Sequence, residues 1–371
     1  MARVRNCFVV VVALIAVACG KVGKTDANSG EIITGAAGLS IEPADGYTVV
    51  KVANPWKEGA VLQTYVLVSR DDQMPENLPA GTVVRTPIER AVVYSSVHGS
   101  VMEELGAIEA IAGVADAQYF NMPQIQEAIV SGDVTDIGNS MSPSVERIVA
   151  LQPDAIILSP FQNAGYGVLE SLGVPIIECA DYMEATPPGR AEWIKFLGLL
   201  VGREQRADSI FNASVAAYNE LKTLVADVAR RPMVLTEMLY SGVWYVPAGG
   251  SYMATMLTDA GAEYPWSDTE GTGSLSLDAA QALDRAGQAD IWLIKPMCAM
   301  TYRSLGRENE LYTHFKAYNE RRIYQCVTAG STYFQDFPFH PEVLLREYVA
   351  LFHPECLEEN TLRYYTPLLD E

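Results

Sequence analysis

Read as apolar and polar positions, residues 90–180 alternate between short apolar runs and amphipathic stretches. "RAVVYSS" reads as a strand, "SVMEELGA" as a helix closed by Gly106, "IAGVA" as a strand and "MPQIQEAIVSG" as a helix. "SPSVERIVAL" then forms a helix entering the wholly apolar strand "DAIILSP". "GVLESLG" is the next helix, and "VPIIECA" the last strand of this half. Apolar strands bounded by turn residues and separated by helices predict a parallel sheet covered on both faces. Such sheets hold ligands beyond the carboxyl ends of their strands.

The flanking regions follow other patterns. Residues 31–84 read as a small β extension, with "YTVVKV", "AVLQTYVLV" and "GTVVRT" as strands between Pro, Gly and Asp punctuation. Residues 85–187 form the first α/β lobe, and residues 188–231 are helical. Within them, Ile210, Phe211, Val215, Tyr218, Leu221 and Val225 recur at spacings of three to five. They predict one helix over 204–230, about 40 Å long at 1.5 Å per residue, stopped by Pro232. A second α/β lobe spans 232–354, with strands "MVLTEML", "DIWLIKP" and "RIYQCV", helices "SYMATMLTDAG", "LDAAQAL" and "ELYTHFKAY", and a closing helix "PEVLLREYVALFH". Residues 355–371 read as an acidic, Tyr-rich tail.

With 371 residues, 49% of them hydrophobic, the chain is long enough for two cored domains. Arg3 and Arg5, an apolar run over 8–18 and then "AVACG" predict an export signal over 1–18, too short to span a bilayer as a stable helix. Small residues before Cys19 resemble a lipobox, which makes Cys19 the lipidated first residue, followed by a polar tether over 19–30; ordinary secretory cleavage near Ala18 is the alternative. The net charge of −20, two units more negative once Arg3 and Arg5 leave, excludes nucleic acid and anionic lipid as partners. The membrane is therefore reached through the lipid alone. Cys179, Cys298, Cys326 and Cys356 show no zinc spacing. Because "DIWLIKPMC" and "RIYQC" are sequential, a Cys298–Cys326 disulfide is one expectation.

Two α/β lobes joined by a long helix behind a lipobox resemble the helical-backbone (class III) substrate-binding proteins of ABC importers. The similarity is carried by "RAVVYSSVHGSVMEELGAIEAIAGVA", "ERIVALQPDAIILSP", "LESLGVPIIE" and "HPEVLLREYVALFHPE", in that order. It implies a fold class of α/β, two Rossmann-like lobes with parallel sheets bridged by a long α-helix, plus the small N-terminal β extension. It also implies a monomeric, lipid-anchored periplasmic protein that captures a ferric siderophore, haem or vitamin B12-like chelate and delivers it to a permease and its ATPase. Docking acids are implied at Glu146 and, where the family has Glu, at Asp278; helix-start capping explains both equally. The resemblance further implies small lobe movement on binding.

No HExxH, GxSxG, Walker A or GxGxxG motif is present, so catalysis has no sequence support and a metal-dependent enzyme is the weakest alternative. The candidate ligand set lies at the strand ends: Tyr94, Ser96, His98, Tyr119, Asn139, Phe161, Gln162 and Tyr166 in the first lobe, and Tyr240, Trp244, Trp266, Met297, Tyr302 and Tyr333 in the second. Ser140, Met141, Tyr245, Tyr252 and Phe334 lie on the same loops. Aromatic side chains there either pack loop against lobe or await a large, partly apolar ligand. For His98 the two readings are a polar bond within its βα loop and direct ligand contact. Only Lys295 and Arg303 are good cations at strand ends, which suits a hydroxamate complex or an amide-rich corrinoid better than a polyanion. Haem is the alternative, with Tyr119 or His98 as axial group. A scavenging or adhesion lipoprotein without a transporter is another. No cofactor is expected, since the ligand would carry its own Fe or Co.

Overall fold

The computed structural model describes residues 33–163 and 165–371; the signal, Cys19 and the tether lie outside the described residues. At the centre of the N-terminal lobe is a five-stranded parallel sheet. Its order is Ile176–Glu178, Ala155–Leu158, Ala91–Val93, Ile111–Val114 and Thr135–Asp136. Every residue of Ala155–Leu158 is buried, and the strand's two-residue period divides them between two cores. Ala155 and Ile157 join the apolar cluster on one face, Ile156 and Leu158 the cluster on the other.

The extension is a four-stranded sheet of Leu39–Ala44, Tyr47–Ala53, Val61–Ser69 and Thr82–Thr86. Its first strand, "LSIEPA", is not among the strands expected from the sequence, since its alternation is confined to Leu39–Glu42 before Pro43. Leu39, Ile41, Val50, Val52, Tyr65 and Leu67 share one core with Trp193, Phe196 and Leu200 of the linking helices. Tyr65 stacks on Phe196 at 5.8 Å. Its hydroxyl donates to the Ile176 carbonyl at 3.0 Å and accepts from the Glu178 N–H at 2.8 Å. The extension thereby covers the exposed edge of the lobe's sheet, an edge that would otherwise be open to pairing.

Three helices link the lobes: Pro187–Glu192, Ile194–Val201 and Glu204–Leu224. The last has 21 residues, about 31 Å, and stops short of the predicted Arg230. Val225 leaves helical geometry at φ −107° and buries in the C-terminal core. In that lobe Val234–Thr236, Ile291–Ile294 and Ile323–Gln325 run parallel. The presumptive tail completes the sheet: Thr366–Pro367 pairs antiparallel with Ile323–Gln325, and Glu347 accepts hydrogen bonds from the Tyr364 and Tyr365 N–H groups. The predicted helix "ELYTHFKAY" breaks into Glu310–His314 and Lys316–Asn319, because Phe315 takes an extended conformation and inserts its ring beside Trp292. The expected Cys298–Cys326 disulfide is absent. Both thiols are free, with Cys298 exposed and Cys326 buried.

The chain enters the fold through two buried carboxylates. Glu192 accepts hydrogen bonds from the Thr34, Gly35 and Ala36 N–H groups, and Glu184 from those of Ala37 and Gly38. Burial raises the Glu192 pKa, but these N–H groups and the Lys195 ammonium, 3.0 Å away, outweigh it and hold the carboxyl below its usual range. The charged form is therefore the one the fold favours. Glu192→Gln should cost about 2–3 kcal/mol at neutral pH. A depressed folded pKa contributes stability above the unfolded value of about 4.3 and loses it as pH falls further. Thermal unfolding of the wild type and variant should therefore differ at pH 7 and converge below about pH 4; a gap that persists in acid would contradict the assignment.

Candidate functional site

The cleft between the lobes is assembled at the ends of the parallel strands. Tyr94 follows Ala91–Val93, and the next residue, Ser95, caps the helix Ser96–Glu104 by accepting the Val97 N–H. That turn and the loop carrying Tyr119 form one wall of a cavity of about 590 Å³; Met297, Phe334 and Gln335 of the other lobe form the opposite wall. Tyr94 also lines a second cavity of about 530 Å³, walled by Met141, Phe161, Tyr166 and Val168. Phe334 also lines a third, of about 540 Å³, where Tyr182 and Met183 face Tyr252 and Lys295. The cleft is thus three compartments joined at Tyr94 and Phe334.

Its walls expose apolar area that a folded protein normally buries. Tyr119 is 59% exposed, Phe161 53%, Met141 78% and Met297 70%. Clustered exposure of this kind marks a surface that something covers. Polar groups are few and placed. The Tyr94 hydroxyl and Gln335 Oε1 are buried without a partner, while Gln335 Nε2 donates across the cleft to the Tyr119 carbonyl at 2.9 Å and reaches Ser96 Oγ at 3.4 Å. Burial pushes the Tyr94 phenol up to about 12, so it stays a neutral donor. Among the lining residues the only cation is Lys295, bonded to Glu237, and the only unpaired charge is Asp116. Asp116 has φ +50°, and its carboxylate accepts from Asn139 Nδ2 at 3.0 Å and the Ser140 N–H at 3.3 Å.

Of the sequence-predicted residues, Tyr94, Ser96, Tyr119, Phe161, Tyr166 and Met297 line these compartments, while Tyr333 backs the third from the core at 1% exposure. Asn139 is exposed and holds Asp116 at the rim. Gln162 and Tyr240 are exposed but line none of the three cavities. Four expectations are corrected. Trp244 is fully buried, donates from Nε1 to the Thr236 carbonyl and stacks on Trp292 at 5.6 Å. Strand alternation turns its neighbour Tyr245 into the cleft instead. Trp266 packs in the core against Tyr264, and Tyr302 is buried with its hydroxyl accepting the Ile323 N–H. His98 is 1% exposed, and its Nε2 meets Asp181 Oδ1 at 3.1 Å. Burial opposes ionisation of Asp181, but Arg190, 3.0 Å from Oδ2, and His98 hold its carboxyl below the usual range. The histidine belongs to that network and lines none of the three compartments.

Several wall residues escaped the sequence reading. Gln335 lies on the single-turn helix Tyr333–Asp336, where Phe334, already expected from its loop, points out while Tyr333 is buried. Val168 and Tyr182 sit in 3-10 turns, which carry no periodic signal. Arg303, the second cation proposed, is instead paired with Glu371 at 3.0 Å, away from these compartments.

Comparison with known proteins agrees with this fold. A family model described as "Periplasmic binding protein" matches residues 91–328. A protein described as an uncharacterised lipoprotein of Methanocaldococcus jannaschii is 25% identical over 321 residues, covering 82% of this chain and 75% of the relative. A periplasmic haem-binding protein from Pseudomonas aeruginosa superposes with TM-score 0.57 at 18% identity, covering 75% of this chain and 97% of that one. An ABC transporter substrate-binding protein from Listeria monocytogenes superposes with TM-score 0.56 at 19% identity, covering 72% and 99%.

The corrected and retained residues separate by stability. Trp244→Ala should cost about 3–5 kcal/mol, as expected for a fully buried ring. Met297→Ala and Phe161→Ala should change stability by less than about 0.5 kcal/mol. Chemical denaturation of the three variants checks this; a large loss for Met297→Ala would mean that its side chain is core.

Proposed function

The chain belongs to the periplasmic binding protein family, and on that footing we propose that it captures a metal–organic chelate between its lobes and delivers it to an ABC permease and ATPase. The observation that carries this reading is a cleft walled by exposed aromatic and Met side chains with no free cation. Covering those walls gives the binding free energy, roughly 25 cal/mol for each Å² of apolar surface removed from water. The buried Tyr94 hydroxyl and Gln335 carbonyl then orient a ligand with polar edges. Ferric hydroxamates and cobalamin-like corrinoids have that character, and they bring their own Fe or Co. Haem is the second reading, favoured by the exposed Tyr119 ring, although its propionates would meet no free cation. Capture without turnover is the activity that follows. Cys19 would tether the protein to the membrane, as the lipoprotein relative suggests.

Docking to the permease falls to Glu146 and Asp278. Glu146 is exposed in the first turn of Val145–Leu151, beyond the Ser144 cap. Asp278 caps Ala279–Ala286 in a capping box with Gln281, which leaves its exposed carboxylate anchored at the surface. Neither residue lines the cleft.

Two experiments test the proposal. Calorimetric titration with cobalamin, ferric hydroxamate, ferric catecholate and haemin should give micromolar or tighter binding for a neutral chelate and far weaker binding for the catecholate. Heat is the appropriate readout because none of the five tryptophans lines the cleft. No binding in any class would refute chelate capture. In cells, Glu146→Gln with Asp278→Asn should lower uptake while affinity stays within a few-fold; Asn keeps the helix cap. Unchanged uptake would remove both residues from the docking surface.

A further inference from the structure

The third compartment of the cleft differs from the other two in holding two opposite charges. Glu237 directly follows Val234–Thr236, and Lys295 directly follows Ile291–Ile294; these strands are hydrogen-bonded neighbours, so the two side chains meet at their ends. Glu237 sits at φ +65°, a left-handed conformation uncommon for a residue with a Cβ, and one that concentrates at functional sites. The pair remains partly open to the cavity, with side chains 14% and 23% exposed for Lys295 and Glu237. Burial lowers the Lys295 pKa, but the Glu237 carboxylate outweighs burial and keeps the ammonium charged. An ammonium has three donors and a carboxylate several acceptor positions, so one contact between them leaves both with capacity to spare. Tyr245 and Phe334 supply apolar walls around the pair.

We infer that the Lys295–Glu237 pair is a second recognition point of the cleft and receives a carboxamide arm of the bound chelate. The inference rests on the chelate reading of the cleft. A bare anion or cation added to an existing ion pair would leave one charge uncompensated in a partly dry cavity. A carboxamide adds no charge. It presents an acceptor and a donor on two atoms bonded to the same carbon, in one plane, matching an ammonium and a carboxylate already in contact. The acceptor faces Lys295 and the donor faces Glu237. Replacing the amide by a carboxylate would set two anions against each other at Glu237, and the site would reject it.

Dicyanocobinamide, whose ring arms are carboxamides, and cobyrinic acid, which carries carboxylic acids on the same ring, test this directly. The wild-type protein should bind the amide form at least about tenfold more tightly at pH 7. Glu237→Gln, which keeps the shape and removes the charge, should narrow that ratio, and Lys295→Met should weaken the amide form about tenfold. The chain's overall negative charge also favours the amide form, so the decisive reading is the ratio in Glu237→Gln, with Glu237→Ala as a second charge-removing variant should the first fail to fold. Equal affinity for the two corrinoids, or an unchanged ratio in Glu237→Gln, overturns the inference. Binding of a ferric hydroxamate with no binding of either corrinoid also overturns it while leaving chelate capture standing. Failure of every chelate to bind overturns both.

Discussion

Arg190 holds the two lobes through one guanidinium. It lies on the first linking helix, Pro187–Glu192, and its Nε donates to Asp181 at 3.0 Å on the N-terminal side. Another of its nitrogens donates to the Tyr252 hydroxyl at 2.5 Å, and its plane lies 4.7 Å from the centre of the Tyr252 ring, on the C-terminal side. Arg190 and Asp181 are both buried, so neither tolerates loss of the other; an orphaned buried charge costs about 3–5 kcal/mol. That makes the lobe spacing a consequence of electrostatics as well as of helix stiffness. A second bridge acts in the same sense. The His340 imidazole meets Glu104 of the first lobe at 2.8 Å and Glu342 at 3.1 Å, and the two carboxylates push its pKa up to about 10 against the opposing effect of burial. It is therefore an ion triad at neutral pH. Its stabilisation is complete below the unfolded histidine value of about 6.5 and declines as pH rises towards 10.

The parts of the fold legible in the sequence are those whose pattern repeats. The strand at Ala155–Leu158 could be read because all four positions are apolar, a consequence of cores on both faces. The long linking helix could be read because its buried stripe, Phe211, Tyr218 and Leu221, recurs near the helical period. What escaped has no local signature. Thr366–Pro367 is too short to show alternation, and it forms because Glu347, far back in the chain, holds the preceding two N–H groups. Phe315 breaks a helix that its neighbours favour, because the aromatic core around Trp292 and Trp244 takes its ring. Both are tertiary effects overriding local preference.

The site was legible to the level of loops, less so to side chains. Strand ends put Tyr94, Tyr119, Phe161 and Met297 at the cleft walls, because the chain must pass the cleft there. Sequence cannot say which of two adjacent aromatics turns outward: Trp244 points in and Tyr245 out, Tyr333 in and Phe334 out. His98 shows the same limit for polar residues. Its place in the βα loop suits ligand contact, yet Asp181, 83 residues later, captures it. Asp181 itself has no motif, and its role exists only once Arg190 is folded over it.

The rigid bridge and the apolar cleft are connected. Exposed aromatic walls would gain by closing on each other, burying area at roughly 25 cal/mol per Å². Arg190 and the Gln335 bond to the Tyr119 carbonyl hold the lobes at a set distance, so collapse would have to break these buried polar contacts. The walls are therefore kept apart and open to the cleft. Charge then selects among such ligands. The chain carries −20 overall, and the cleft adds an unpaired Asp116 and a neutralised Lys295, so a polyanionic chelate meets repulsion with no cation to offset it. Under the proposed function, a neutral chelate would avoid that cost while covering the same walls. On that reading, lobe spacing would set how thick the ligand is, and the lack of a free cation among the lining residues would set what charge it brings.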